Sequence, residues 1–231
     1  MTDSSNAKKH LAIKAVLFDL DGTLADTALD MVEALNISLI QFGYSTITYS
    51  KLRNVASHGS LAMVQAALPG ANDDIQRQVQ LALLDNYEKV NGNNCDLFPG
   101  LWPFISLLRL NDIPYGVVTN KPARFTRPLL IKLGLDKQMP AIVSGDTTLY
   151  SKPHTAPMLL AAQQLGISAE HILYLGDAER DMVAAQASNM HAGFAGWGYI
   201  APHDDIEKWP IDICFGNTDE LLKWFELQLN H

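Results

Sequence analysis

The sequence is poor in cysteine, and it has no long apolar run. Only 2 of its 231 residues are cysteines, Cys95 and Cys214, and they form no C-x-x-C pair. We therefore expect two reduced thiols in a cytoplasmic protein, in place of a disulfide scaffold or a cysteine-held metal. Because no apolar run approaches the roughly 18 residues that a membrane span requires, we expect no membrane association.

Positive charge is also scarce. The chain carries 17 Lys and Arg against 25 Asp and Glu, which gives a formal net charge of −8. A general nucleic-acid-binding protein needs a basic face, so this balance argues against that class. Apolar residues make up 48% and charged residues 18%, which excludes a disordered or fibrous chain. Residues 1–10 are expected to form a frayed tail, because Lys14 interrupts the apolar run that follows them and no cleavage site is present.

What the sequence does contain is an alternation of short β-rich runs with amphipathic helical segments. Strand, helix and strand repeated at this spacing predict right-handed crossovers and a Rossmann-like parallel sheet with helices on both faces, an α/β fold. The predicted strands are residues 13–19, 113–119, 141–145, 172–177 and 191–195, and the predicted helices between the later ones are 121–133, 154–165 and 179–187.

The alternation is interrupted directly after the first predicted strand. Three stretches there have helical spacing: one ends at Gly43, one follows a possible N-cap at Ser50, and one runs from about Asn72 to Val90. Pro99-Gly100 then returns the chain to the alternating pattern. The sequence therefore predicts a core domain of residues 11–26 and 98–231 with an all-helical insertion of residues 27–97.

Carboxylates follow the first predicted strand. Asp19 and Asp21 stand two residues apart in the run Asp19-Leu20-Asp21-Gly22-Thr23, and ligand sites in open α/β sheets lie beyond such strand ends. Two like charges at this separation are costly unless a cation neutralises them or one carries a proton. Oxygen ligands of this kind favour Mg²⁺.

Other strand ends carry polar residues as well. Thr119 and Asn120 combine a hydroxyl, an amide and the start of a helix, which is a reasonable phosphate cradle. Lys152 precedes a proline-started helix. Asp177 can reach the same cation as Asp19 if their strands are neighbours. Asp181, one helical turn on, is a candidate to orient either the waters of the metal or Lys152, and a carboxylate that only favours a helix N-terminus is the equal alternative.

These segments, in this order and with a helical insertion after the first, resemble the four motifs of the haloacid dehalogenase superfamily of phosphohydrolases. The resemblance runs from about residue 13 to 225 and is closest to the phosphoglycolate phosphatase-like branch. Residues 117–125 and 196–200 are also similar to N-acetylmuramic acid 6-phosphate phosphatases of that branch. One departure is the sequence after Lys152-Pro153, where the branch usually has a second proline two positions after the first.

The resemblance implies a fold, a cofactor and a set of roles. The insertion would be a small helical cap of the C1 type, and the cofactor would be Mg²⁺. Asp19 would be the nucleophile that forms an aspartyl-phosphate, and Asp21 would be the general acid and base. The metal ligands would be Asp19, Asp177 and the backbone carbonyl of Asp21, with Asp181 behind them. The phosphate-binding residues would be Thr119, Asn120 and Lys152.

Two residues are candidates for contacts to the organic part of the substrate. His58 lies at a break in the second helical stretch, where a cap would present a substrate-reading loop, although it fits a helix-terminal surface position equally well. Arg124 would meet a substrate carboxylate with paired hydrogen bonds, while an exposed helix arginine is the alternative.

The resemblance predicts a Mg²⁺-dependent phosphatase acting on a small phosphorylated metabolite, 2-phosphoglycolate or a sugar-acid phosphate such as N-acetylmuramic acid 6-phosphate. A phosphomutase of the β-phosphoglucomutase type shares every catalytic residue named above, and a non-catalytic phospho-ligand-binding protein is the third alternative. The sequence predicts no oligomeric state.

Overall fold

The computed structural model describes residues 11–229, so the expected tail of residues 1–10 lies outside the described part of the chain. A six-stranded parallel sheet forms its centre, in the order β3-β2-β1-β4-β5-β6. The strands are β1 (Ala15–Phe18), β2 (Tyr115–Val118), β3 (Ala141–Val143), β4 (Ile172–Gly176), β5 (His191–Ala195) and β6 (Ile213–Phe215).

Both faces of this sheet are buried, as its crossover connections require. Along β1, Val16 and Phe18 join one apolar cluster, while Ala15 and Leu17 join the cluster on the opposite face. All five predicted strands are present. The sequence analysis did not predict the sixth, β6, a three-residue edge strand in which only Phe215 is buried.

Helices cover the sheet and form the region after β1. They are α1 (Ala28–Gln41), α2 (Tyr49–Leu52), α3 (Ser60–Ala67), α4 (Asp73–Val90), α5 (Leu101–Leu110), α6 (Ala123–Lys132), α7 (Ala156–Leu165), α8 (Glu179–Ala187) and α9 (Thr218–Leu229). The predicted α/β fold with helices on both faces is therefore confirmed. None of the helices between residues 11 and 229 is long and apolar enough to cross a membrane.

Helices α1 to α4 lie within the predicted insertion, and we refer to residues 27–97 as the helical segment. Helix α1 packs on α4, and α3 packs on α4 as well. Asn72 is the N-cap of α4, because its side chain accepts the N–H of Ile75 at 2.9 Å. The second stretch begins one residue before Ser50, at Tyr49, and a 3₁₀ turn over Arg53–His58 joins it to α3.

A buried carboxylate joins the beginning and the end of the helical segment by hydrogen bonds. Asp30 in α1 is fully buried, and its oxygens accept the N–H groups of Gly92 and Asn94 at 2.7 and 2.9 Å. A charge at such depth is costly unless hydrogen bonds satisfy it. These bonds therefore fix the return of the chain beside the start of α1, next to the carboxyl ends of the strands.

Candidate active site

The site lies where the connections of the sheet diverge. Strand β1 pairs with β2 on one side and with β4 on the other, so Asp19, Thr119 and Asp177 follow three adjacent strands. Polar side chains that are far apart in sequence therefore meet at one edge. This is the crevice in which open α/β sheets bind ligands.

Lys152 is the centre of this site. Its side chain is fully buried, and its Nζ lies 2.9 Å from Asp19 Oδ1 and 2.8 Å from Asp181 Oδ1. It also donates to the carbonyl of Val118 at 2.8 Å and to the hydroxyl of Tyr174 at 2.7 Å. The altered sequence after Lys152-Pro153 thus leaves the lysine beside Asp19. Of the two partners open to Asp181 in the sequence, the structure shows contact with Lys152.

Asp19 is buried but held in its ionised form. Burial alone would raise the pKa of its carboxyl, but Lys152 and Arg180 outweigh this and lower the pKa below its usual value. The N–H of Leu20 also donates to Asp19 Oδ1 at 2.7 Å. A desolvated carboxylate kept charged in this way has the properties of a nucleophile.

Three buried carboxylates form a candidate metal site. Oxygens of Asp19, Asp177 and Asp181 lie within 4.8 Å of one another. Burial, together with the charges of Asp181 and Asp19, raises the pKa of Asp177 to about 7. Crowded oxygen donors whose charges repel in this way fit a divalent cation, which would relieve the repulsion.

Hydrogen bonds from the helical segment and from the rest of the chain orient Asp177. Its Oδ2 accepts the N–H of Tyr199 at 2.9 Å and the hydroxyl of Ser57, in the helical segment, at 2.8 Å. Gly22 has a φ of +81°, and a Cβ there would lie 2.1 Å from Asp177 Oδ2. Only glycine combines this backbone conformation with such a close approach.

Asp21 lies outside the carboxylate cluster. Its Oδ1 accepts the hydroxyl of Thr27 at 2.5 Å and the ammonium of Lys121 at 2.8 Å. The burial of Lys121 disfavours its charge, but Asp21 outweighs this effect and raises the pKa of the lysine. The side chain of Asp21 is thus held by a cation beside the cavity that Asp19 lines.

The two polar residues after β2 have different contacts. The Asn120 side chain accepts from the backbone N–H of Lys152 and donates to its carbonyl, each at 2.9 Å. Thr119 is buried and accepts the N–H of Lys121 at 3.2 Å. Both residues line the cavity. The structure therefore shows Asn120 anchoring the backbone of Lys152.

A cavity of about 420 Å³ opens above these groups, between the strand ends and the helical segment. Asp19, Asp21 and Thr119 line it on the strand side, and Leu83 and Tyr87 of α4 line it from the helical side. The two predicted substrate-contact residues, His58 and Arg124, also line it, and both are exposed. The guanidinium of Arg124 rests 4.5 Å above the ring of Phe125.

Several residues at this site escaped sequence reasoning. Tyr174 reads as an ordinary buried strand residue, and Ser57 as part of a helix break. Lys121 and Arg180 belong to stretches where solvated charges are common. In the structure Arg180 lines the cavity, and its buried Nε has no hydrogen-bond partner among residues 11–229. Lys121 and Arg180 stand next to strand-end motifs, and this position was the one feature of the sequence that could have assigned them to the site.

Comparison with known proteins agrees with this geometry. The family model of the haloacid dehalogenase-like hydrolases matches residues 16–195. A phosphoglycolate phosphatase of Xanthomonas campestris pv. campestris is 38% identical over 208 residues, which cover 90% of this chain and 94% of the relative. An N-acetylmuramic acid 6-phosphate phosphatase of Pseudomonas aeruginosa is 32% identical over 215 residues, covering 93% and 95%.

Solved structures share the fold. A predicted phosphoglycolate phosphatase from Haemophilus somnus superposes with a TM-score of 0.79 at 23% identity, covering 92% of this chain and 97% of that one. A β-phosphoglucomutase from Clostridium difficile gives a TM-score of 0.68 at 17% identity, covering 94% and 97%. The resemblance seen in the sequence motifs is thereby confirmed: the chain belongs to the haloacid dehalogenase-like hydrolases.

Proposed function

We propose that the protein is a Mg²⁺-dependent phosphatase that hydrolyses a small, carboxylated phosphate monoester through an aspartyl-phosphate. The observation that carries this proposal is the contact between Lys152 and Asp19, whose carboxylate lines the cavity. A buried lysine beside an ionised carboxylate is suited to bring a phosphoryl group to a nucleophile, since the cation offsets the repulsion between two anions.

In the first half-reaction an Asp19 carboxylate oxygen attacks phosphorus. The new bond joins that oxygen to phosphorus, and the bond between phosphorus and the ester oxygen breaks. Asp21 gives its proton to the departing oxygen. Lys152 and Thr119 stabilise the charge on the transferring group, while Asn120 keeps the Lys152 backbone in place.

In the second half-reaction water replaces the alcohol. Asp21 removes a proton from the water, whose oxygen attacks phosphorus, and the bond from phosphorus to Asp19 breaks. Inorganic phosphate leaves, and both aspartates return to their starting states. Asp21 thus serves in both halves, first as acid and then as base.

The metal would be held by Asp19, Asp177 and the backbone carbonyl of Asp21, with Asp181 behind them. The crowding of buried carboxylates and the raised pKa of Asp177 support this placement. When bound, Mg²⁺ neutralises charge on the phosphoryl oxygens and on these carboxylates. Ser57 and Tyr199 keep the Asp177 carboxylate in position.

We further propose that residues 27–97 act as a cap on a core of residues 11–26 and 98–231. The hydroxyl of Ser57 reaches Asp177 from the helical segment, and Tyr87 and His58 enclose the cavity from the same side. A closed cap excludes bulk water, which strengthens the electrostatic contacts of the reacting group.

The substrate class follows from the charges around the cavity. Lys121 is paired with Asp21, but Arg124 and Arg180 also line the cavity and offer positive charge to a substrate. The relatives described above are named for 2-phosphoglycolate and for N-acetylmuramic acid 6-phosphate, both of which carry a carboxylate. We assign Arg124 and His58 to the organic part of the substrate.

The decisive experiment is a panel of phosphate monoesters assayed with Mg²⁺, with 2-phosphoglycolate, N-acetylmuramic acid 6-phosphate and a hexose 1-phosphate among them. The proposal expects phosphate release from carboxylated esters and none in the Asp19→Asn variant. Isomerisation of the hexose phosphate without phosphate release would identify a phosphomutase. Binding of the esters without turnover would overturn the catalytic assignment.

A further inference from the structure

Lys121 combines deep burial with a full set of specific contacts. Its side chain is only 6% exposed, and its Nζ donates to Asp21 Oδ1 at 2.8 Å and to the hydroxyl of Tyr87 at 2.7 Å. The ammonium also lies 4.5 Å from the centre of the Tyr87 ring. Burying a charge is costly, so a lysine in such a place is kept there by what it contacts.

The contacts of Asp21 are concentrated on one of its two oxygens. Both the Lys121 ammonium and the hydroxyl of Thr27 donate to Oδ1, the latter at 2.5 Å. Among residues 11–229, no group donates a hydrogen bond to Oδ2. Because Asp21 lines the cavity, its second oxygen is the one available to a ligand there.

We propose that Lys121 is the positioning residue of Asp21. With Thr27 it fixes Oδ1, so that Oδ2 is the oxygen that gives the proton to the leaving group and later takes one from water. Tyr87 of α4 holds the ammonium from the helical segment, which ties the geometry of the acid to that segment. The inference rests on the proposed function and adds a residue to it.

The contacts of Lys121 distinguish it from the other cations of the site. Lys152 touches the nucleophile itself, and Arg124 is exposed with its guanidinium over Phe125. Lys121 touches Asp21 and not Asp19. Its loss should therefore weaken proton transfer selectively, without removing phosphoryl binding or attack.

The test compares two leaving groups in single-turnover experiments. An alkyl phosphate needs a proton on its departing oxygen, whereas p-nitrophenyl phosphate releases a stable anion without one. For Lys121→Met we expect the first-turnover rate on the alkyl ester to fall about 10- to 100-fold, the scale of a misplaced catalytic group. The first turnover of p-nitrophenyl phosphate should change by less than about threefold, since its departure needs no acid.

Three variants serve as comparisons. Lys121→Arg keeps a cation and should recover part of the rate on the alkyl ester. Tyr87→Phe removes only the hydroxyl and should give a smaller loss with the same dependence on leaving group. Lys132→Met is the matched control, because the Lys132 ammonium bonds to Asn91 and Asn93 outside the cavity. It should leave both rates unchanged.

Each outcome supports or overturns the assignment. Loss confined to the alkyl ester, in a variant with the circular dichroism and melting behaviour of the wild type, supports it. Equal losses on both esters would make Lys121 a phosphate-binding or structural residue, and no loss on either would remove it from the mechanism. The alkyl ester is the carboxylated monoester that the wild type hydrolyses best in the panel above, and if the wild type hydrolyses none of them, the proposed function itself is overturned.

Discussion

On the strand side of the cavity the predicted catalytic groups are buried or half-buried and hydrogen-bonded, whereas at its rim the two predicted substrate-contact residues are exposed. Asp19, which lines the cavity, and Asp181 both contact Lys152, and Ser57 and Tyr199 hold Asp177. His58 and Arg124 line the same cavity but lie at its open rim. Under the proposed function this difference corresponds to a division of roles, in which the buried groups perform the chemistry and the exposed rim selects the substrate.

The largest expected effect comes from the nucleophile. Asp19→Asn should abolish turnover on every substrate, since an amide cannot form an acyl-phosphate, and the loss should be about a thousandfold or more. Circular dichroism should show a folded protein. Retention of more than about 1% of wild-type activity would remove Asp19 from this role.

A second substitution tests how much the buried ion pairs on the strand side contribute to stability. Lys152→Met leaves the carboxylates of Asp19 and Asp181 buried without their cation, so we expect the free energy of unfolding to fall by about 3–5 kcal/mol. The control is Lys208→Met, because Lys208 is 79% exposed in its pair with Asp205. This substitution should lower the free energy of unfolding by less than about 1 kcal/mol. Urea titration measures both values, and similar losses would contradict the account.

The matching change at the rim of the cavity should act on substrate selection alone. Arg124→Ala should cost about 1.5–3 kcal/mol in kcat/KM on carboxylated esters, the range for hydrogen bonds to charged groups. Neutral esters of similar size should hardly respond. An equal loss on both kinds of ester would make Arg124 a phosphate-binding or structural residue, and no loss would place recognition elsewhere on the rim.

The last expected effect is a pH dependence of metal-free stability. Because the pKa of Asp177 is raised from 3.8 to about 7, the folded protein keeps a proton that the unfolded chain releases. The contribution of Asp177 to the free energy of unfolding should therefore decrease from about pH 4 to about pH 7 in chelator.

Two comparisons isolate this contribution. Asp177→Asn cannot ionise and should weaken the decrease, and Mg²⁺ added near neutral pH should stabilise the wild type but not the variant. Urea titrations at several pH values measure it. The same pH dependence in both proteins would show that Asp177 does not titrate in this range.

The sequence was sufficient to predict the strand side of this comparison. Asp19 and Asp177 follow apolar strands, and parallel strands bring their carboxyl ends to one edge, so their proximity followed from topology. Lys152 was placed through the family motif, and the structure shows why it belongs there. The sequence left Asp181 open between the waters of a metal and Lys152, and its contact with Lys152 is visible only in the folded structure.

Other contacts of the site depend on side-chain orientations that cannot be inferred from the neighbouring sequence. The hydroxyl of Tyr174 in β4 accepts a hydrogen bond from Lys152, but a tyrosine in a buried strand is also common for packing reasons alone. Ser57 reaches Asp177 across 120 positions of sequence. Lys121 has a long side chain that contacts Asp21 rather than solvent. Such contacts are set by tertiary packing, so only the folded arrangement reveals them.

The central claim, that the chemistry proceeds through Asp19, is tested most directly by trapping the intermediate. Acid-quenched enzyme that has reacted with its substrate and Mg²⁺ would be reduced with borohydride, which converts an aspartyl-phosphate into homoserine. Peptide mass spectrometry should find homoserine at position 19 in the wild type and not in Asp19→Asn. Turnover without modification of Asp19, or modification of another carboxylate, would contradict the account.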